Sequence, residues 1–578
     1  MKVEMNMPIL YTSELVERID GKIEYKIIVK SNENVGNEEA AMRLKWSFPI
    51  LDIAGRWHPV CLLDRELKAD WNRGLKSMTA QSAPVMTFFS EDGSNRYTIA
   101  VSETRKEVIM NCGVHEEDGT MYCVIDMNLG EEITNKDYEV RLLVDERDIP
   151  YYQSLHEVQE WWEKECNIES TNIPKEAKEP MYSLWYSYHQ ELKDDVIEKE
   201  CIAAKKLGFK TVIVDDGWQT DDTNRGYAFC GDWKVAESKI KDMKAHVKAV
   251  HDIGMKYMIW FSVPYIGKQS DVWNQFKDKL ITFSEWQSAG ILDIRYKEVR
   301  EYLKNIYINA VKEWEIDGLK LDFIDEFYLR EDTPSTNDNM DKKCLQDALD
   351  CLLSETIHEL KEINPEILIE FRQKYIGPNI RKYGNIFRVG DCPNSGISNR
   401  IGVVDLRLLS GNTAIHSDML MWNKDEKAEN ASLQIVSSLF ATLQLSVKLE
   451  DMNNQQERMV KNYLKFMEYN KELLQNAIIQ PKEPQNLYPE VRVENDQEEI
   501  IAVYSENRVV NVDETKKKST IVNGTKGNKI YLKIMKAHNI QIRNIDCFGE
   551  IKEESTFILE GVKEVNWTTG GRIEVTIN

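Results

Sequence analysis

Apolar and polar residues alternate with period two from about residue 20 to 148, in KIEYKIIVK, RLKWSF, RYTIAVS, EVIMNCGV, YCVIDMNL and YEVRLLVD, broken by turn-like EDGSN and EEDGT. Short strands at such spacing, each burying one face, predict a β-sandwich over 1–150. An amphipathic helix follows from about Ser154 to Cys166, carrying Trp161 and Trp162, and then a polar stretch bounded by Pro174 and Pro180. Residues 151–180 therefore read as a helical linker.

From 181 the rhythm changes. Apolar strand-like runs (TVIVDD, KYMIWF, GLKLDF, EILIEF, NIFRVG, NTAIHS) alternate with long segments of helical period. Between Glu298 and Trp314, residues Val299, Leu303, Ile306 and Ala310 share one face; Leu345, Ala348, Leu349, Leu352 and Leu353 share another. Repeated β–α units over 181–478 predict a (β/α)8 TIM barrel. A doubly wound open sheet is disfavoured because the first βα turn has no glycine-rich phosphate loop. Period two returns in EIIAVYS, KIYLKI and GRIEVTI, so 479–578 reads as a small C-terminal β-sandwich. The fold class is multidomain, α/β plus all-β, with the barrel flanked by two β-domains.

Composition narrows the function. A chain of 578 residues exceeds one hydrophobic core. No apolar run reaches the roughly 18–20 residues that span a bilayer. The N-terminal segment carries acids and no signal-peptide core, so the expected location is cytoplasmic. Acidic side chains outnumber basic ones 97 to 74, a net charge of −23, which argues against nucleic acid and other polyanions as partners. Ten cysteines without a C-x-x-C pair and nine scattered histidines predict neither a disulfide framework nor a zinc site. No metal or cofactor is expected.

Barrels place reactive groups where strands end. The strand ends here carry Asp215 and Asp216, Lys320 and Asp322, Arg372, Asp391, and His416 and Asp418. Any one of these acids could be a solvated cap; their recurrence at successive strand ends is the signal. Asp322 and Asp391 lie 69 residues apart, close to two βα units, so they can face one cavity. Paired carboxylates, one ionised and one able to give a proton, are what glycosidic-bond cleavage requires. In GLKLD, alternation sends Leu319 and Leu321 toward the helices and puts Lys320 beside Asp322, where the ammonium favours an ionised nucleophile. Tryptophans near the strand ends suit a pyranose face; Trp218 and Trp233 are expected in that role and Trp260 in the core.

The segments WYSYH, VDDGW, GDW and LDI…VREYL…IDGLKLD resemble, in order, the glycoside hydrolase clan containing families 27 and 36, the α-galactosidases and α-N-acetylgalactosaminidases. The resemblance covers about 181–475, and the flanking β-domains agree with family 36. It implies a retaining double displacement without metal or cofactor. Asp322 would be the nucleophile, as in the family's K-W-D. Asp391, in FRVGDCP, would be the acid/base, resembling the R-x-x-D-D pattern of family 27 and the S-D of family 36, and Arg388 of the same segment would bind substrate. Asp215 and Asp216 would bind sugar O4 and O6, and Lys320 a hydroxyl near O2 or O3. HSDMLMW makes Asp418 a secondary acid/base candidate, and Trp57 or Trp71 would reach over the pocket.

Three departures bear on the substrate: Leu321 replaces the K-W-D tryptophan, Ser262-Val263-Pro264 replaces E-P-E, and EFRQKYIGP replaces a glycine-rich segment. Arg372 and Gln373 there either contact O2 or an N-acetyl group or form a rim salt bridge. The expected function is an exo-acting α-galactosidase on small neutral oligosaccharides or glycosides. The alternatives are the same mechanism on an α-N-acetylgalactosaminide, α-galactosaminide or related glycone, and a non-catalytic carbohydrate-binding barrel. Homo-oligomeric assembly stays open.

Overall fold

The computed structural model describes residues 1–6, 9–30, 40–129, 137–164, 166–372 and 376–577. In the first part, alternation becomes two antiparallel sheets of five and six strands. Strand Thr120–Asn128 shows the principle: Met121, Cys123, Ile125 and Met127 turn inward, and the residues between them stay partly solvated. Their partners across the sandwich include Val140, Leu142 and Ile99, so one shared core fixes the register of both sheets.

Helix Tyr151–Lys164 starts three residues before the predicted Ser154. Its two tryptophans are buried and tie it to the sandwich. Trp161 Nε1 donates to the Glu24 carboxylate (3.1 Å) and Trp162 Nε1 to the Val101 carbonyl (2.9 Å).

Eight parallel strands then form the barrel, in chain order Met181–Ser183, Thr211–Val214, Lys256–Ser262, Gly318–Asp322, Leu368–Arg372, Ile386–Arg388, Ala414–His416 and Gln444–Leu445. The first pairs with the second and with the eighth. Bridges from His416 to Thr442 and from Leu420 to Leu445 bring the seventh up to the eighth. Side chains fill the interior in layers. At the bottom, Met181, Ile213, Met258, Leu368, Ile386 and Ala414 form a separate apolar cluster. Above it the interior turns ionic, as described below. The apolar helical stripes face inward onto the barrel as the periodicity predicts: Val299, Leu303 and Ala310 are buried, as are Leu345, Ala348, Leu349, Leu352 and Leu353.

Strands from Gln480 to Ile577 hydrogen-bond into one eight-stranded sheet with its own core around Ile501, Ile521, Ile540, Trp567 and Ile573. Its two longest strands, Lys529–Ile545 and Ile551–Asn566, pair as an extended hairpin. The sequence pattern marked only the start of the first. The second is largely exposed, so burial imposes little alternation on it. Among the described residues, no helix is long and apolar enough to cross a membrane.

Candidate active site

The site grows from strand parity. In Gly318–Asp322 every residue is buried, Leu319 and Leu321 in the main core under the helices. Lys320 reaches Asp215 of the second strand end, Nζ to Oδ2 at 2.5 Å. Register places Lys320 between Trp260 and Glu370 on the neighbouring strands, and Asp322 beside Ser262. Asp322 is then held on both sides. Trp260 Nε1 donates to Oδ2 (3.0 Å), while Arg372 Nε (2.5 Å) and the Phe323 amide (2.9 Å) approach Oδ1. Burial pushes the Asp322 carboxyl up, but Arg372 and then Lys320 prevail, so its pKa lies below the ordinary value. The candidate nucleophile is ionised at neutral pH.

Arg388 occupies the axis of the barrel, 1% exposed along its side chain, among three acids. Its NH1 contacts Asp391 (2.9 Å) and Asp418 (2.7 Å), and its Nε lies 3.4 Å from Glu370. The other Glu370 oxygen accepts from Gln444 (2.6 Å), and Gln444 also meets His416 Nδ1 (3.0 Å). A buried cation with several acidic partners can stay charged where a lone one could not. The Asp391 carboxylate is 46% exposed toward the cavity. Burial raises its pKa, but Arg388, Lys320 and Arg372 pull harder and hold it at about 2. Asp418 is pushed the other way by burial and by the Asp391 charge, against Arg388.

Asp216 sits in a small amide cage: Gln190 and Gln219 each donate to one of its oxygens at 2.7 Å. Burial is the main reason its pKa rises to about 6. The next residue, Gly217, has φ +111°, and a Cβ there would meet the Gln190 backbone at 2.6 Å. That position of VDDGW therefore needs glycine for the loop to close on Gln190.

Several expectations change. Trp218 is fully buried, its Nε1 donating to the Trp260 carbonyl (2.9 Å) and its ring packed on Trp233, Phe261 and Trp314, so it offers no face to a sugar. Trp233 is 5% exposed in the same stack. Trp260 lies in the core as expected, and its Nε1 also reaches Asp322. Arg388, expected to bind substrate, is buried and its guanidinium is engaged by Asp391 and Asp418 instead. Asp418 is sealed, 0% exposed, by Arg388, the Tyr186 hydroxyl (3.0 Å) and the Cys392 amide (2.6 Å), so it cannot meet a substrate directly. Arg372 takes the salt-bridge role, with Asp322 and more distantly with Asp325 (3.5 Å), and lies over the Phe323 ring at 4.4 Å. Gln373 lies outside the described residues.

A cavity of about 900 Å³ opens over Asp391, Arg372 and Asp325. The sandwich domain supplies part of its wall, but neither predicted tryptophan does. Trp57 is buried against Asp405 (2.8 Å), and Trp71 is 80% exposed outside the cavity lining. Val60, Leu62, Leu63 and Lys76 stand there instead. Glu370, Gln190, Tyr186 and Asp325 were missed by sequence reasoning. Glu370 alone left a signal, since alternation in EILIEF puts it on the parity of Arg372.

Fold and site together define a closed (β/α)8 barrel with an ionic interior, strand-end carboxylates and two flanking β-domains. Residues 168–371 match the Melibiase family, so the part of the chain that carries Asp215, Asp216, Lys320 and Asp322 is melibiase-like. Among curated proteins, Alpha-galactosidase Mel36A of Lactobacillus acidophilus is 30% identical over 148 residues, 24% of this chain and 19% of that protein. Alpha-galactosidase 1 of Pediococcus pentosaceus is 32% identical over 127 residues, 21% of this chain and 17% of its own length. These matches thus span about a fifth of the curated relatives. The fold is also that of GH36 α-galactosidase AgaA from Geobacillus stearothermophilus, solved in complex with raffinose. That likeness has a TM-score of 0.67 at 12% identity and covers 96% of this chain and 80% of that one.

Proposed function

We propose that the protein is a retaining, exo-acting glycoside hydrolase of α-galactosidase type, acting on neutral α-galactosides. The observation that carries this reading is Asp322, an ionised carboxylate fixed by Trp260 and Arg372 at a strand end within the melibiase-like segment. In the first step Asp322 attacks the anomeric carbon while the bond to the leaving oxygen breaks and Asp391 delivers a proton to it. Water then attacks the galactosyl–Asp322 ester from the opposite face and gives its proton back to Asp391. Asp215, Asp216 and Lys320 would hold sugar hydroxyls; Lys320 shares the strand of Asp322 and is ion-paired with Asp215. The α-galactosidase relatives favour galactose as glycone, and AgaA's raffinose complex fits an oligosaccharide or simple glycoside as substrate.

Asp391 is preferred over Asp418 as acid/base because it faces the cavity, whereas Asp418 is enclosed. Its low pKa in the free protein suits the base step. The acid step needs the substrate to displace water around it, which strengthens the burial effect already acting on this carboxyl. No disulfide joins the cysteines among the described residues, which fits a reducing compartment such as the cytoplasm.

Nucleophile exchange tests both roles. Asp322→Ala should lower turnover of an aryl α-galactoside by about 10³–10⁴-fold or more. Azide should restore turnover by Asp391→Gly and yield α-galactosyl azide. Rescue of Asp418→Gly but not of Asp391→Gly would transfer the acid/base role to Asp418.

A further inference from the structure

The cavity over Asp391 has two unlike walls. On one side Arg372 is engaged with Asp322 and Asp325, Glu326 with Arg330 (2.6 Å), Lys76 with Glu107 (2.5 Å), and Gln81 with the Asp325 carbonyl (2.9 Å). Each of these polar groups is engaged by a neighbouring group. The aliphatic surface of the lining is that of Val60, Leu62 and Leu63 of the sandwich domain; Val389 and Ile401 of the barrel also border the cavity but are almost wholly buried. Leu62 and Leu63 are 56% and 57% exposed.

The loop that carries these leucines is firmly held. Cys61 and Arg65, on either side of them, are buried. Arg65 pairs with Asp405 of barrel helix Gly396–Arg407 (3.2 Å) and with the Tyr488 hydroxyl (2.9 Å). Leu62 adopts φ +51°, a left-handed conformation that disfavours a γ-branched residue without a compensating anchor. Two leucines are thus fixed in water at the rim of a cavity that also contains the candidate acid/base.

We propose that this aliphatic surface is the aglycone site, and that α-galactosides of hydrophobic alcohols, alkyl or aryl, are turned over in preference to galacto-oligosaccharides. The proposal rests on the galactosidase reading above. A volume near 900 Å³ lies at the upper end of the roughly 300–1,000 Å³ that enclose drug-sized ligands, so it has room for more than one sugar. A second sugar would press hydroxyls against Leu62 and Leu63, whose side chains offer them no hydrogen bond. An alkyl chain or aryl ring would cover the same surface favourably and would dry the surroundings of Asp391.

Three substrates separate the claims: n-octyl α-galactoside, melibiose and α-galactosyl fluoride, whose leaving group does not fill the aglycone site. We expect kcat/KM for the octyl glycoside to exceed that for melibiose by about tenfold or more. In Leu62→Asn/Leu63→Asn the loss on the octyl glycoside should exceed the loss on the fluoride by about tenfold. Both substituted positions are largely exposed, and fluoride turnover reports whether the variant is folded. Equal kcat/KM for the octyl glycoside and melibiose, or an equal loss on octyl glycoside and fluoride, would overturn the aglycone proposal and leave the galactosidase reading standing. No hydrolysis of the fluoride by the unaltered protein would overturn both.

Discussion

Asp322 makes the strongest chemical statement in the molecule because its neighbours act in opposite directions. Burial favours the neutral acid; Arg372, Lys320 and the Trp260 N–H favour the anion, and the anion wins. Arg372 is the largest of the opposing effects, so Arg372→Gln should raise the Asp322 pKa. The acidic limb of a kcat/KM profile on an aryl α-galactoside would then move to higher pH. A profile unmoved by the substitution would mean that the limb belongs to another group. Strand parity made Asp322 and Lys320 legible, because in GLKLD every second side chain must leave the helix-facing core. The tryptophans were not legible in the same way. Trp260 lies inside a strand, where parity points it at Asp322. Trp218 follows a strand end in a loop, and nothing local to VDDGW shows that this loop folds its indole beneath the site.

At the scale of elements, the loop bearing Leu62 and Leu63 depends on one buried ion pair. Asp405 accepts from Arg65, Trp57 and Tyr488, joining the sandwich, a barrel helix and the connection between the first two strands of the C-terminal sheet. Removing one partner of such a pair leaves the other charge buried and unpaired, at a cost of about 3–5 kcal/mol. Asp405→Ala should lower unfolding free energy by that order in urea, whereas Asp405→Asn, which keeps an acceptor, should cost less. Equal stability of Asp405→Ala and the unaltered protein would show that the loop is held by apolar packing alone. The sequence contained no sign of this junction. Arg65 and Asp405 are 340 residues apart, and each read by itself is an ordinary surface charge. The barrel rhythm was legible because helical and strand periods repeat within tens of residues; the cavity wall was not, because it joins two domains.

At the scale of the whole molecule, two of its buried titrations oppose each other. His416 is neutral at the barrel core, and burial lowers its pKa from the ordinary 6.5 to about 4. Between those values the folded chain binds fewer protons than the unfolded one, so stability from this group is lost as pH falls. Asp216 is raised from 3.8 to about 6, so its contribution is present at low pH and is lost as pH rises through 6. Each effect amounts to about 3 kcal/mol, and over pH 4–7 they largely offset. Asp216→Asn removes one side of the balance. Its unfolding free energy, compared with that of the unaltered protein, should fall further behind by about 3 kcal/mol on going from pH 7 to pH 4. Parallel pH dependences would mean that Asp216 titrates normally.

The account as a whole turns on a double displacement in which Asp322 is the attacking group at a galactosyl centre. Proton NMR during hydrolysis of p-nitrophenyl α-galactoside reads this directly, before mutarotation mixes the sugar anomers. The expected first product is α-galactose, formed with net retention. β-Galactose as first product, or no hydrolysis at all, would contradict the account.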